Sequence, residues 1–277
     1  KRSEFSDNLV FAGGCALNSL ANKTIYDSNL FNKIFIPYAP GDGGGSIGAA
    51  LYTSSNKYKN YKLTNLITPY IGPEFDNFSI ENDIKKFKKE NDFNYEFIKE
   101  KKELYRKVAK KIFENKIIGH FSGKMEFGAR ALGNRSILAN PCNPEIKDII
   151  NKKIKRRESF RPFAPAILFE KKNEWFNNNR SNPYMSAVEE IIENKKKFIP
   201  GVTHIDGTGR VQTVTKEINS DFYLLIEEFS KLSNVPIILN TSFNENEPIV
   251  LNSTHALNCF LRTDMDILVM NNYIIYK

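Results

Sequence analysis

Residues Gly123–Ser136 read GKMEFGARALGNRS, and this stretch decides how the rest of the chain is read. It carries Lys124, Arg130, Asn134 and Arg135 as cationic or amide side chains, with glycines between them and Glu126 as its one acid. An apolar run, Ile117 to Phe121, precedes it and predicts a buried strand. An arginine fork matches phosphate and carboxylate oxygens, and glycine lets a backbone come close to a ligand. A solvated surface loop can have the same composition, so the loop alone leaves both readings open.

Working outward, five more stretches carry chemistry-bearing residues: Gly13–Asn18 (GGCALN), Pro40–Ala50 (PGDGGGSIGAA), Asn151–Pro165 (NKKIKRRESFRPFAP), His204–Val214 (HIDGTGRVQTV) and Asn240–Asn244 (NTSFN). In this order, and together with GKMEFGARALGNRS, they resemble the motifs of the O-carbamoyltransferases of the NodU/CmcH type. The resemblance implies an α/β (mixed α+β) chain in two parts. Residues 1–70 would be the truncated end of an actin/sugar-kinase-like domain, 71–102 a linker or lead-in, and 103–277 a YrdC-like domain.

By that resemblance the YrdC-like half makes carbamoyl-adenylate from carbamoyl phosphate and ATP with Mg²⁺. The actin-like half then passes the carbamoyl group to a hydroxyl of a small molecule, a sugar or natural-product precursor. Arg130, Lys155, Arg161, Arg210 and Ser242 lie at motif positions that bind carbamoyl phosphate in the family. The cofactor-side candidates are Lys124, Asn134, Arg135, His204 and Asn240, with Asn18, Gly43 and Gly44 upstream. Asp42 matches an aspartate that ligates the active-site metal, usually iron. Its companion ligands would lie in the full-length actin-like domain, so Fe²⁺ is expected only there. A tRNA threonylcarbamoylation factor with the same folds, or a binding module without a catalytic half, is the alternative.

The physical chemistry agrees with the leading reading. A phosphoryl dianion needs several charge-assisted donors, each worth roughly 1.5–3 kcal/mol. The neutral carbamoyl amide needs donors and acceptors, which Asn240 and Ser242 can supply. Lys152 and Arg156 match no motif position and read as surface cations. The chain is not a P-loop protein: Gly119 stands one residue too near Gly123–Lys124, and Met125 occupies the hydroxyl position. Gly43-x-Gly45-x-x-Gly48 fits the dinucleotide fingerprint, but Thr68 and its neighbours provide no acid about twenty residues on.

The 277 residues carry a formal net charge of +8, concentrated at Lys152, Lys153, Lys155, Arg156 and Arg157. That run has no interleaved aromatics to stack bases, so no nucleic-acid partner is expected. No apolar run nears the ~18 residues of a membrane helix, and a cytoplasmic protein is expected, without membrane association. The three cysteines have no metal-type spacing; Cys15 reads as a small core residue. The opening KRSEFSDNLVFAGG reads as mid-domain, predicting that the N-terminal remainder of the same protein is a partner; a homodimer is also possible.

Periodicity places the elements. Strand, glycine turn and helix occur twice, at Val10–Tyr26 and at Lys33–Tyr52. Lys57 to Phe97 reads as a polar linker with one amphipathic helix near Ile80–Glu90. Leu104, Val108 and Ile112 predict a helix over 103–115, and Ile146, Ile149, Ile150 and Ile154 another, with the basic residues on its outer face. Asn219 or Ser220 caps a third, Ser253 or Thr254 a last, and Asn271–Asn272 turns a hairpin. His120 reads as a packed core residue and His255 as structural.

Overall fold

The computed structural model describes residues 6–58 and 68–277. In the first stretch β1 (Asn8–Val10) and β2 (Lys33–Phe35) pair in parallel, with α1 (Ser19–Asp27) as their crossover and α2 (Gly44–Lys57) following. The glycine turn at Gly13–Gly14 was expected to open one helix running to about Tyr26. It divides into a 3₁₀ turn at Gly14–Leu17 and α1, because the Asn18 side chain accepts from the backbone N–H groups of Leu20 and Ala21 and so caps a new helix. Cys15 is exposed, against the expectation of a core position. No residue of α2 is buried, although it carries Ala49, Ala50 and Leu51 in succession.

The second stretch builds one eight-stranded mixed sheet. Its strands are β3 (Asn94–Phe97), β4 (Ile118–Phe121), β5 (Arg135–Ala139), β6 (Ala164–Leu168), β9 (Gln212–Val214), β10 (Ile237–Ser242), β11 (Ile267–Met270) and β12 (Tyr273–Tyr276). Their spatial order is β3-β12-β11-β4-β5-β10-β6-β9. Only β11/β4 and β6/β9 run parallel. A separate antiparallel pair, β7 (Val188–Glu190) with β8 (Thr208–Arg210), stands beside it. The mixed α/β class expected from the sequence is therefore the class observed.

Helices cover the sheet where their apolar stripes require it. These are α3 (Asn77–Lys88), α4 (Lys101–Phe113), α5 (Ile146–Lys153), α6 (Ser220–Ser233) and α7 (Ser253–Arg262). Leu104, Val108 and Ile112 of α4 are buried, and α4 packs on α6, which lies against β6 and β10. Asn219 caps α6 by accepting from Phe222 N–H, and Asn252 rather than Ser253 caps α7. The hairpin at Asn271–Asn272 forms as expected, with Asn271 at φ 50°.

The stretch expected as linker behaves otherwise, residues 59–67 lying outside those described. Ile80 and Ile84 of α3 are wholly buried in the main core with Phe93, and β3 is a sheet edge. The polar composition between them is the outer face of an amphipathic helix and of an edge strand. The two stretches are held together by one face of α1. Ser19, Asn22, Lys23 and Tyr26 recur at helical spacing. They meet Arg210, the Ser186 carbonyl, Glu190 and Arg180 respectively.

Candidate active site

The loop after β4 is organised by its single acid. Glu126 is 5% exposed, and its Oε1 accepts from the N–H groups of Leu132 at 2.6 Å, Asn134 at 2.7 Å and Arg135 at 3.4 Å. Gly128 and Gly133 take φ of +127° and +121°. A Cβ on Gly128 would meet the Tyr38 carbonyl oxygen at 2.6 Å, and one on Gly133 the Phe222 ring at 2.5 Å. The loop is thus pinned from inside by a carboxylate and from outside by close packing, and it presents Arg130.

Arg130 opens into a cavity of about 430 Å³ also lined by Arg157, Arg161, Arg210, His204, Asn240 and Ser242. Its size suits a small ligand. Burial lowers the pKa of Arg130, and burial together with the neighbouring Arg130 charge pushes Arg210 down to about 10. Both stay cationic at neutral pH. Among the described residues neither has a carboxylate partner; Arg210 donates only to Ser19 Oγ. Arg161 pairs with Glu158 at 3.0 Å and is about half exposed. Arg157 is fixed by Asn151 Oδ1 at 2.8 Å and stacks on Phe163.

The polar wall is oriented by hydrogen bonds. Gln212 Nε2 donates to the Leu132 carbonyl, so its Oε1 faces Asn240 and accepts from Asn240 Nδ2 at 2.8 Å. That leaves Asn240 Oδ1 buried and without a hydrogen-bond partner. Thr208 gives its one hydroxyl proton to Asp206 Oδ1 at 2.7 Å, so the 3.2 Å contact from His204 Nδ1 to Thr208 Oγ1 places a proton on Nδ1. Burial lowers the His204 pKa.

Lys155 lies behind this wall, 2% exposed. The three N–H groups of its ammonium are shared among four oxygens, the carbonyl and hydroxyl of Ser242 and the carbonyl and side-chain oxygen of Asn244, at 2.5–3.3 Å. Burial, with a smaller push from Arg157, lowers it to about 7, while the four oxygen partners favour the charged form. The outer-face expectation for basic residues holds for exposed Lys152 and Lys153 and fails for Lys155. The helix ends at Lys153, and the chain turns inward as Lys155 N–H bonds to the Ile150 carbonyl.

Of the residues expected on the ligand side, the structure gathers Arg130, Arg161, Arg210, Ser242, His204 and Asn240 at the cavity and sets Lys155 beneath it. Others are committed elsewhere. Arg135 is fully buried, stacked on Phe121 and bonded to the carbonyls of Ser122, Asn134, Pro73 and Gly123. It staples the loop to the 73 region. Asn134 bonds the Lys124 carbonyl and accepts from Asn219, and the Lys124 side chain is exposed. Asn18 caps α1, and Gly43 and Gly44 begin α2, outside the cavity lining. Asp42 is exposed, and no group of three His, Cys, Asp or Glu among the described residues could hold a metal ion. The residues present therefore do not fit an iron centre. Lys152 is exposed, and exposed Arg156 pairs with Glu245, as read from the sequence.

Sequence reasoning missed Glu126, Arg157, Asp206 and Ser19. The first had a signal, being the lone acid of a cationic loop; Ser19 had none.

A mixed α/β protein with an arginine-walled cavity is the class these features define. Residues 109–277 match the family described as Carbamoyltransferase C-terminus, and residues 1–51 match Carbamoyltransferase N-terminus. The chain belongs to the carbamoyltransferase family. It is 39% identical to the nodulation protein NolO of Bradyrhizobium diazoefficiens, covering 97% of this chain and 49% of that protein. It is 33% identical to Nodulation protein U of the same organism, covering 86% and 39%. The chain spans about half the length of the curated relatives it matches. Among solved structures, full-length HypF in its phosphate- and nucleotide-bound form gives a TM-score of 0.42 at 19% identity, covering 61% of this chain and 21% of that one. No helix among the described residues is long and apolar enough to cross a membrane.

Proposed function

We propose that this chain is the carbamoyl-phosphate- and ATP-handling part of an O-carbamoyltransferase, and that its cavity forms carbamoyl-adenylate. The observation that carries this reading is the pair Arg130 and Arg210, two repelling guanidinium groups in one cavity that Asp206 also lines, neither with a carboxylate partner among the described residues. Such a pair is relieved by an anion, and each charge-assisted bond to it adds roughly 1.5–3 kcal/mol. Arg161 at the rim and Arg157 extend the cationic wall, and Asn240 Oδ1 offers an unused acceptor to a carbamoyl NH₂ group.

The reaction balances as follows. Water takes the phosphoryl group of carbamoyl phosphate as inorganic phosphate, and the carbamoyl carbon keeps two oxygens as carbamate. A carbamate oxygen then attacks the α-phosphorus of ATP, and pyrophosphate leaves. The arginines hold charge as it moves from one phosphate to the next, a positioning and electrostatic role. Mg²⁺ accompanies ATP as part of the substrate. Transfer to a small-molecule hydroxyl belongs to the longer protein.

Mixing the chain with ATP, Mg²⁺ and carbamoyl phosphate tests the reading. Pyrophosphate should form only when all three are present, and Arg130→Ala should lower its rate about 10²-fold or more. Pyrophosphate release that ignores carbamoyl phosphate, or survives Arg130→Ala, would remove the proposal.

A further inference from the structure

Ser19 is the first residue of α1, and it is 5% exposed. Its Oγ accepts from Arg210 Nη2 at 2.7 Å and Nε at 3.2 Å, across 191 positions of sequence. It also lines the cavity that holds Arg130, Arg161 and Ser242. A serine hydroxyl has two acceptor lone pairs and one proton. Arg210 uses the lone pairs, so the proton is left to donate.

We infer that Ser19 is a ligand-contacting residue of the anion cavity, setting the fork of Arg210 and donating its hydroxyl proton to an oxygen of the bound phosphate group. This rests on the anion-cavity reading above. The helix that carries Ser19 is fixed in place. Asn22, three residues on and fully buried, donates to the Ser186 carbonyl at 2.7 Å and to the Ala16 carbonyl at 2.8 Å. Lys23 reaches Glu190 at 3.3 Å, and Arg180 lies 4.0 Å over the Tyr26 ring. A hydroxyl suits the position because it orients a guanidinium without neutralising it. A carboxylate there would pair with Arg210 and consume the charge that the ligand needs.

That contrast supplies the test, with inorganic phosphate as the probe, calorimetry on the whole chain, and melting curves in phosphate-free buffer. Ser19→Ala should weaken phosphate binding about 10-fold and lower the melting temperature modestly, because the Arg210 donors lose their partner. Ser19→Thr should restore binding to within about threefold, since it keeps the hydroxyl. Ser19→Asp should lose phosphate binding yet melt higher, because Arg210 gains an opposite charge and its repulsion from Arg130 is relieved. Ser19→Ala binding phosphate as the unaltered chain does, Ser19→Thr failing as Ser19→Ala fails, or Ser19→Asp still binding, would each overturn the inference and leave the anion cavity standing. No phosphate binding by the unaltered chain would overturn both.

Discussion

At the scale of single residues, Lys155 shows how burial changes the meaning of a charge. In the sequence it is one member of a basic run, yet it ends 2% exposed among four oxygens of Ser242 and Asn244. Lys155→Met would strand those buried acceptors, at about 1–3 kcal/mol for the set. We expect that loss of stability by denaturant unfolding together with loss of pyrophosphate formation, whereas Lys152→Ala should leave both unchanged. His120 gives a prediction in pH. It is fully buried, its Nδ1 lies 2.5 Å from the Gly133 carbonyl, and desolvation lowers it from 6.5 to about 4. Between those values the unfolded chain holds a proton that the folded one lacks, so stability falls as pH drops through the window. The slope is about 1.4 kcal/mol per pH unit. Comparing unfolding of the unaltered chain and His120→Asn between pH 5 and 6.5 should show the slope reduced in the variant. Equal slopes would mean that His120 is protonated in the fold.

At the scale of elements, the glycine-rich loop is a structure in its own right. Three backbone N–H groups converge on Glu126 Oε1, and Arg135 ties the same loop through four carbonyls. Charge-assisted bonds of this kind are each worth about 1.5–3 kcal/mol, and they hold the segment from which Arg130 projects. Glu126→Ala should therefore cost on the order of 3 kcal/mol. It should also speed amide exchange at Leu132 and Asn134 before it affects the rest of the sheet. Unchanged exchange at those two amides would show that packing at Gly128 and Gly133, rather than Glu126, sets the loop.

At the scale of the whole molecule, the cavity is built from both stretches of the chain. Ser19 and Leu20 come from α1, Arg130, Arg157 and Arg161 from loops of the larger unit, and Arg210 from the end of β8. The first unit is thin: β1 and β2 form a two-stranded sheet, and α2 buries nothing. Among the described residues it contributes only Ser19 and Leu20 to the cavity lining. Holding two reactants in near-attack geometry can contribute ~7–11 kcal/mol, and a reactant that is not held forgoes it. We therefore expect this chain to release pyrophosphate without carbamoylating sugars or other hydroxyl compounds. Efficient acceptor carbamoylation by the chain alone, followed by mass spectrometry, would count against that division of labour.

The sequence determined the class of the fold and the family, because those depend on local patterns. The period-four stripe of α4, the cap at Asn219, the hairpin at Asn271–Asn272 and the six motifs in order are all readable within a few residues. The resemblance of its motifs also pointed to Arg130, Arg161, Arg210 and Ser242, which the structure brings to one cavity. What only the tertiary structure decided is how each polar group is used. Arg135 and Arg130 stand five positions apart in one loop; burial turned the first inward to backbone carbonyls and left the second lining a cavity with no ion-pair partner among the described residues. The 77–97 stretch, polar in composition, joined the core because Ile80, Ile84 and Phe93 are buried in it, while Phe78 and Phe97 stay exposed. Ser19 meets Arg210 only when the chain closes on itself. Partner and burial are set by residues far away in sequence, and a side chain's charge state and role follow from them.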